Sequence, residues 1–170
     1  DTNGAIWIAT MGQGVFCYEN NILTQYSNRG ENDYKVHITV DKEGNVWTLS
    51  NWSSNDGIYK LDRKKNRFEK FSLHQPNQQP YEAYGLALLE DSDHAMWLGT
   101  FNDGLIRFDG ETGEIIHHLT TSTEHKFTHI HSLLEYAPHQ IMIGSDDGLA
   151  IYNTQSGTFR LYTDDEQSKN

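Results

Sequence analysis

The sequence predicts an all-β chain of repeated four-stranded antiparallel units, on three observations. First, a ten-residue motif recurs as "DTNGAIWIAT" (1–10), "DKEGNVWTLS" (41–50) and "DSDHAMWLGT" (91–100), with a worn fourth copy, "YAPHQIMIGS" (136–145). Trp7, Trp47, Trp97 and Met142 hold one place in it and lie 40, 50 and 45 residues apart, a period typical of repeat architectures. Second, each period holds short runs rich in β-branched and aromatic residues, the composition of strands. Third, two kinds of turn signal recur between those runs at matching places.

Taken in order, the first unit has three strands, "IWIAT", "GVFCYE" and "LTQYS". The second has four: "VHITV" (36–40), "VWTLS" (46–50), "GIYKLD" (57–62) and "FEKFS" (68–72). The third reads "LALLE", "MWLGT", "GLIRFD" and "IIHHL", and the fourth "HSLLE", "IMIGS", "GLAIYN" and "FRLYT". That makes fifteen strands and no helix. Asp41 to Gly44 is a short hairpin loop in which Gly44 takes the left-handed conformation cheaply while Asp41 caps the turn through its carboxylate. Gly4 fits the same role, and His94 and His139 replace it in later copies, which weakens those two turns. A second turn, "GQG", "NDG", "NDG" and "DDG", precedes each third strand and again tolerates positive φ.

Four-stranded units of this length with one Trp-bearing strand apiece predict a β-propeller. A β-sandwich also has short, evenly spaced strands, but nothing in it calls for repeated turn chemistry. Residues 1–170 are expected to form a single partial propeller of about 3.75 blades, with blades at 1–28, 34–73, 84–120 and 129–163. The chain opens inside a repeat, which suggests a piece of a larger propeller rather than a closed ring.

The 170 residues suffice for a sizeable core. A net charge of −11 argues against a nucleic-acid partner. No apolar run approaches the roughly 20 residues of a membrane span. There is no initiator Met, signal peptide or lipidation motif. Cys17 is alone, so no internal disulfide forms, and a lone cysteine leaves the compartment open.

The run D-x-x-G-x-I/V-W-x-x-T/S followed by G-V/I/L-x-x-Y/L/F-D/E resembles the two-component regulator propeller repeat. The likeness is clearest in Gly44-Asn45-Val46-Trp47 with Gly57 to Asp62, and in Met96 to Thr100 with Gly104 to Asp109. It covers almost the whole chain; an insertion at Ser53 to Asn55 and the worn fourth unit depart from it. The resemblance implies a periplasmic sensor region of a bacterial hybrid two-component regulator, anchored in the inner membrane through its parent chain. In such regulators two propellers precede an immunoglobulin-like domain, a membrane span and a histidine kinase, and many sense oligosaccharides to control genes for polysaccharide use. The repeat's Trp and Gly are structural, so no catalytic residue carries over. The segment itself is expected not to be an enzyme and to need no cofactor.

In a propeller the chain reverses from strand to strand, so the D-to-A and B-to-C connections emerge at one face and the remaining tight turns at the other. The long segments 27–35, 51–56, 72–84 and 120–128 all belong to the first face, where loops on a rigid scaffold usually carry binding. Trp52, in the insertion "NWSSND", is the leading ligand-binding candidate, with Asn51 beside it and Phe101, Tyr81 and Tyr84 on neighbouring loops. An aromatic ring flanked by amides and hydroxyls suits a sugar's apolar face. The plain alternative is that Trp52 folds back onto its own blade.

His125, His129 and His131 resemble a metal cluster on paper, and His129 and His131 share a face if both lie on a strand. They lack a third ligand at convincing spacing, so they read as ordinary polar positions. His117 and His118 sit on an outer strand, pointing to opposite faces. Asp103, Asp146 and Asp147 recur at one turn, as a turn requirement predicts; acid/base use would need two carboxylates facing across a cleft. No metal site is expected. A streptogramin-lyase-like propeller enzyme is the catalytic alternative, and a structural, protein-contacting propeller the other. The expected partners are an oligosaccharide or other small solute, further blades of the parent chain and a second copy; nucleic acid and membrane are not.

Overall fold

The computed structural model describes residues 1, 3–27, 33–51, 56–120 and 127–162. Every regular element among them is a strand, and no helix is long and apolar enough to cross a membrane. The chain forms two compact units, Asp1–Ser72 and Leu73–Asn170.

The first unit holds β1 (Ile6–Gly12), β2 (Gly14–Glu19) and β3 (Ile22–Tyr26), then β4 (Asp33–Val40), β5 (Val46–Ser50), β6 (Gly57–Asp62) and β7 (Arg67–Phe71). Each group is an antiparallel meander in chain order, here called blades 1 and 2. A four-stranded sheet separate from a three-stranded one was expected. Instead β1 pairs with β4 at Met11↔Tyr34 and Gly12↔Asp33, giving one seven-stranded sheet in the order β3-β2-β1-β4-β5-β6-β7.

The second unit holds two four-stranded antiparallel sheets: blade 3, β10 (Gly85–Glu90), β11 (Met96–Thr100), β12 (Leu105–Phe108) and β13 (Ile115–Leu119); and blade 4, β14 (Ser132–Ala137), β15 (Gln140–Ser145), β16 (Gly148–Asn153) and β17 (Phe159–Tyr162). A short hairpin, β8 (Leu73–His74) and β9 (Pro80–Tyr81), precedes them. Among the described residues seventeen strands are thus present, where fifteen were expected of the chain.

The recurring motif now has its physical reason. In the second copy the Asp41 carboxylate accepts the Asn45 amide at 2.7 Å and the Trp47 indole N–H at 2.8 Å. In the third, Asp91 accepts the Ala95 amide at 2.9 Å and the Trp97 indole at 2.7 Å; in the first, Asp1 does the same for Ala5 and Trp7 at 2.9 and 3.1 Å. The turn therefore does more than reverse the chain. It holds a carboxylate where a buried indole N–H would otherwise have no partner. Trp47 and Trp97 are 0% and 1% exposed. Trp7 is only half-buried. Where the motif loses its Trp, Glu135 takes over the cap and accepts the His139 amide at 3.0 Å. Gly4 and Gly44 both have φ +84°, and His94 and His139 adopt the same left-handed conformation at 64° and 63°.

The core lies between sheets, and the central strands β5 and β11 are buried on both faces. In the second unit the Trp97 face of blade 3, with Leu105, packs on Ile141, Ile143, Ala150 and Tyr152 of blade 4, over Phe127 and Ile130. In the first, Trp7, Val15 and Tyr26 of blade 1 pack on Val46, Tyr59, Leu61 and Phe68 of blade 2. Side chains alternate across a strand, so in both pairs the face bearing the Trp meets the next blade's opposite face. Burying each large side chain this way stabilises by about 1.5–3 kcal/mol. One ionic feature was not legible in the sequence. The Lys35 ammonium lies 2.8 Å from Asp33 with both side chains buried, and 4.3 Å from the centroid of the Tyr59 ring. Burial, then the Asp33 charge, raises the Tyr59 phenol pKa.

Candidate ligand-binding site on the long loops

Three connections of the second unit meet beside Phe101. The first is the turn from β11 to β12, closed by Thr100. Its buried hydroxyl donates to the Gly104 carbonyl at 2.7 Å and accepts the Asp103 amide at 2.8 Å. The same closure recurs in Thr10 to Gly14 and Ser145 to Gly148, whereas the Ser50 hydroxyl donates to the Tyr34 carbonyl at 2.9 Å. The second connection ends at Tyr84, whose carbonyl accepts the Phe101 amide at 2.8 Å. The third runs through Phe127–His131. The His129 amide donates to the Phe101 carbonyl and the Ile130 amide to the Thr100 carbonyl, each at 3.0 Å.

This stitching fixes the rings. Tyr84 meets Phe101 edge to face at 5.5 Å between centroids, and the His129 imidazole lies 3.9 Å from Phe101, tilted by 43°. Phe101 remains 40% exposed. His129 holds φ 50°, an uncommon conformation for a residue with a side chain. It persists because its ring is tethered as well as its backbone. The Asp146 carboxylate accepts His129 Nδ1–H at 2.5 Å through one oxygen and His131 Nε2–H at 2.8 Å through the other. A carboxylate has no hydrogen to give, so both imidazoles act as donors. Next to it, Asp147 accepts the Thr128 amide at 2.6 Å and its hydroxyl at 2.8 Å. The two histidine hydrogen bonds hold the Asp146 carboxyl below its ordinary pKa of 3.8.

These contacts revise two expectations. Asp146 and Asp147 do not serve their own turn; they anchor the loop entering blade 4. His129 and His131 do not share a strand face, since β14 begins only at Ser132. Their rings address the two oxygens of one carboxylate, and among the described residues no group of three His, Cys, Asp or Glu is placed to hold a metal ion. His125 lies outside the described residues.

Of the sequence-derived candidates, Tyr84 and Phe101 come together. Tyr81 does not join them: it lies in β9, its ring meets His118 edge to face at 5.5 Å, and His118 Nε2 is 2.6 Å from the Asp103 carbonyl. Burial, then Asp103, raises the Tyr81 phenol pKa. Its neighbour His117 turns toward Tyr152, 3.4 Å from the phenol oxygen; burial and then Arg107 lower its pKa. Asn51 belongs to the first unit and is 0% exposed, so its amide is not the surface group expected. It follows β5, every residue of which is buried, and the burial extends one residue past the strand. Trp52 lies outside the described residues. What sequence reading missed is the role of His129, His131 and Asp146. The signal available was a His-x-His pair preceding a strand and an Asp-Asp-Gly turn closing the next hairpin.

The fold is that of β-propeller blades. No protein-family profile matches the sequence, and no curated protein does. Solved structures do match. The extracellular domain of BT4673 of B. thetaiotaomicron, described as a one-component or hybrid two-component system, superimposes with TM-score 0.75 at 15% identity over 98% of this chain and 24% of its own. PorZ, a surface component of the type-IX secretion system of Porphyromonas gingivalis, gives 0.74 at 12% identity, covering 100% of this chain and 27% of its own. The WD40 β-propeller domain of Doa1 gives 0.62 at 16%, covering 88% and 46%. At these identities the likeness is one of fold. The chain spans about a quarter of the length of the first two.

Proposed function

We propose that this chain is a ligand-sensing propeller segment of a bacterial hybrid two-component regulator, that its ligand is an oligosaccharide, and that it works outside the cytoplasm by binding rather than by catalysis. The observation that carries the reading is the exposed Phe101 ring, held by Tyr84 and His129 beside the exposed polar groups of His131 and Asp146. A flat apolar ring next to a carboxylate and imidazoles offers stacking for a sugar's C–H face and partners for its hydroxyls. The fold's likeness to the BT4673 extracellular domain supports the sensor setting. Ligand binding would favour one arrangement of the sensor, and a membrane-linked kinase would report that shift of population.

The test is calorimetric titration of an oligosaccharide panel into the wild-type chain, Phe101→Ala, Trp52→Ala and a tight-turn control, Lys42→Ala. A lost stacking contact is worth about 0.5–1.5 kcal/mol, so Phe101→Ala should weaken binding about two- to tenfold while Lys42→Ala leaves it unchanged. Equal affinity for wild type and Phe101→Ala removes the ring from the site. Loss confined to Lys42→Ala places the ligand on the tight-turn face and overturns the reading.

A further inference from the structure

His129 and His131 each commit one ring nitrogen to Asp146 and keep the other. The carboxylate takes His129 through Nδ1–H and His131 through Nε2–H, so when neutral the two rings are held as opposite tautomers. The remaining nitrogens, His129 Nε2 and His131 Nδ1, have no partner among the described residues. Nor is the cluster sealed from solvent: the side chains of His129, His131 and Asp146 are 29%, 59% and 53% exposed. His129 lies against Phe101, the ring proposed to stack on a sugar. Two open hydrogen-bonding nitrogens thus belong to the same small cluster as that ring.

What those nitrogens offer depends on their charge. A neutral imidazole that donates through one nitrogen can only accept through the other. It then suits a hydroxyl, which can donate, and has nothing for a carboxylate, which cannot. Once protonated, the same nitrogen becomes a donor and gives a carboxylate a charge-assisted hydrogen bond. The surrounding groups set the same polarity. Asp147 holds Thr128, the residue before His129; Asp103 lies in the turn after Phe101; and the Tyr84 phenol ring packs on Phe101. With neutral imidazoles, every charge among these groups is negative. With both rings protonated, two positive charges stand against Asp146. Asp146 stays ionised meanwhile, because its two histidine hydrogen bonds hold it below 3.8, whereas histidine side chains ordinarily change charge between about pH 5 and 8.

We propose that His129 and His131 gate the charge of the ligand. With neutral imidazoles the site takes an uncharged saccharide and turns away one that carries carboxylates; on acidification it accepts the carboxylated saccharide as well. This rests on the saccharide reading above and adds to it the ligand's charge class and its control by pH.

The test is calorimetric titration at about pH 8 and about pH 5, the two ends of the histidine range. The probes are neutral gluco-, galacto- and manno-oligosaccharides, each beside its counterpart with the C6 hydroxymethyl groups oxidised to carboxylates. The oxidised form should bind the wild-type chain about tenfold or more tighter at the lower pH, the scale of one hydrogen bond to a charged group. The neutral form should change by less than about threefold, because a hydroxyl can serve as donor or acceptor. His131→Gln alters an exposed side chain to an amide that does not titrate, and circular dichroism checks its fold. It should lose most of the gain on acidification. That comparison separates the gate from the general easing of a net charge of −11, which would favour an anion in both chains alike. Imidazole nitrogen NMR at about pH 8 should show Nδ1–H at His129 and Nε2–H at His131. An oxidised sugar that binds equally at both pH values, an undiminished gain in His131→Gln, or one tautomer on both rings overturns the gate, while binding of the neutral sugars leaves the saccharide reading standing. If no sugar of either kind binds at either pH, the saccharide reading fails and the gate with it.

Discussion

Replacing Asp91 by alanine tests the coupling of turn to strand most directly. The carboxylate is 2% exposed and accepts from the Asp93 and Ala95 amides, from the Trp97 indole, and from Arg107 through Nε and Nη2 at 3.1 and 2.8 Å. Removing it strands the Trp97 indole N–H in a side chain 1% exposed and the Ala95 amide in a residue 7% exposed. Each buried orphan costs about 1–3 kcal/mol. Arg107 adds little, because it is partly solvated and keeps Asp93 at 3.2 Å. The sum, about 2–6 kcal/mol, spans the cost of breaking a buried charged contact, and it is a large part of the roughly 5–15 kcal/mol that holds a domain together. Asp41→Ala removes the acceptor of the Trp47 indole in the same way, but the Asn45 amide that it also frees is only part-buried, so about 2–4 kcal/mol is expected. Asp1→Ala should cost under about 1 kcal/mol, because half-buried Trp7 can hydrogen-bond water. Urea unfolding at one protein concentration, followed by tryptophan emission and circular dichroism, measures the series. An Asp91 variant within 0.5 kcal/mol of wild type, or an Asp1 variant as damaged as Asp91, would refute the reasoning.

Two further outcomes follow from local geometry. At Gly104, φ is +76°, and a Cβ there would overlap the Leu119 carbonyl oxygen and stand 2.9 Å from Phe127 Cε2, whereas at Gly4, with φ +84°, it would meet nothing within 4 Å. Gly104→Ala should therefore lose about 2–4 kcal/mol in the same urea assay and Gly4→Ala about 1 kcal/mol, with equal losses contradicting the steric account. For Asp146, whose folded pKa is depressed, the histidine tethers contribute stability above the ordinary carboxylate range and lose it as pH falls through the lowered folded value. Carboxyl carbon NMR should place its titration below 3.8 in the wild type and return it toward 3.8 in His129→Ala with His131→Ala, and no change between them would remove the tether.

Most of the scaffold was legible because its rules are periodic. Asp and Trp six residues apart, a Gly or its substitute between them, and a hydroxyl three residues after the Trp recur often enough to be read without coordinates. The β8–β9 hairpin escaped because each arm is two residues long, too short to show any alternation. The Lys35–Asp33 pair escaped for a related reason: alternation assigns a face to each residue, but nothing in it tells a buried charge from an exposed one. The geometry of the candidate site was half legible. Phe101 and Tyr84 stood out as aromatics at loop positions, yet what aims Phe101 is a carboxylate 45 residues later that resembles an ordinary turn residue. Asn51 misled because a loop position next to a strand does not by itself mean exposure.

The worn fourth repeat shows which parts of the pattern are bound to one another. Its motif has Tyr136 in place of the Asp and Met142 in place of the Trp, so acceptor and donor are missing together. Losing either alone would leave a buried polar group without its partner; losing both removes the demand, since Met needs no hydrogen bond. The turn survives the change. His139 holds φ 63° as His94 holds 64°, and Glu135, one residue earlier than the lost Asp, accepts the His139 amide while its other contact, from Ser92 at 2.7 Å, reaches the turn of blade 3. What the repeat preserves is a satisfied turn joined to a packed sheet, not a particular pair of residues. That satisfaction sits on the tight-turn side of the blades. The connections on the other side share one satisfied turn, closed by the hydroxyls of Thr10, Thr100 and Ser145, and otherwise differ from blade to blade, as loops on a rigid scaffold can.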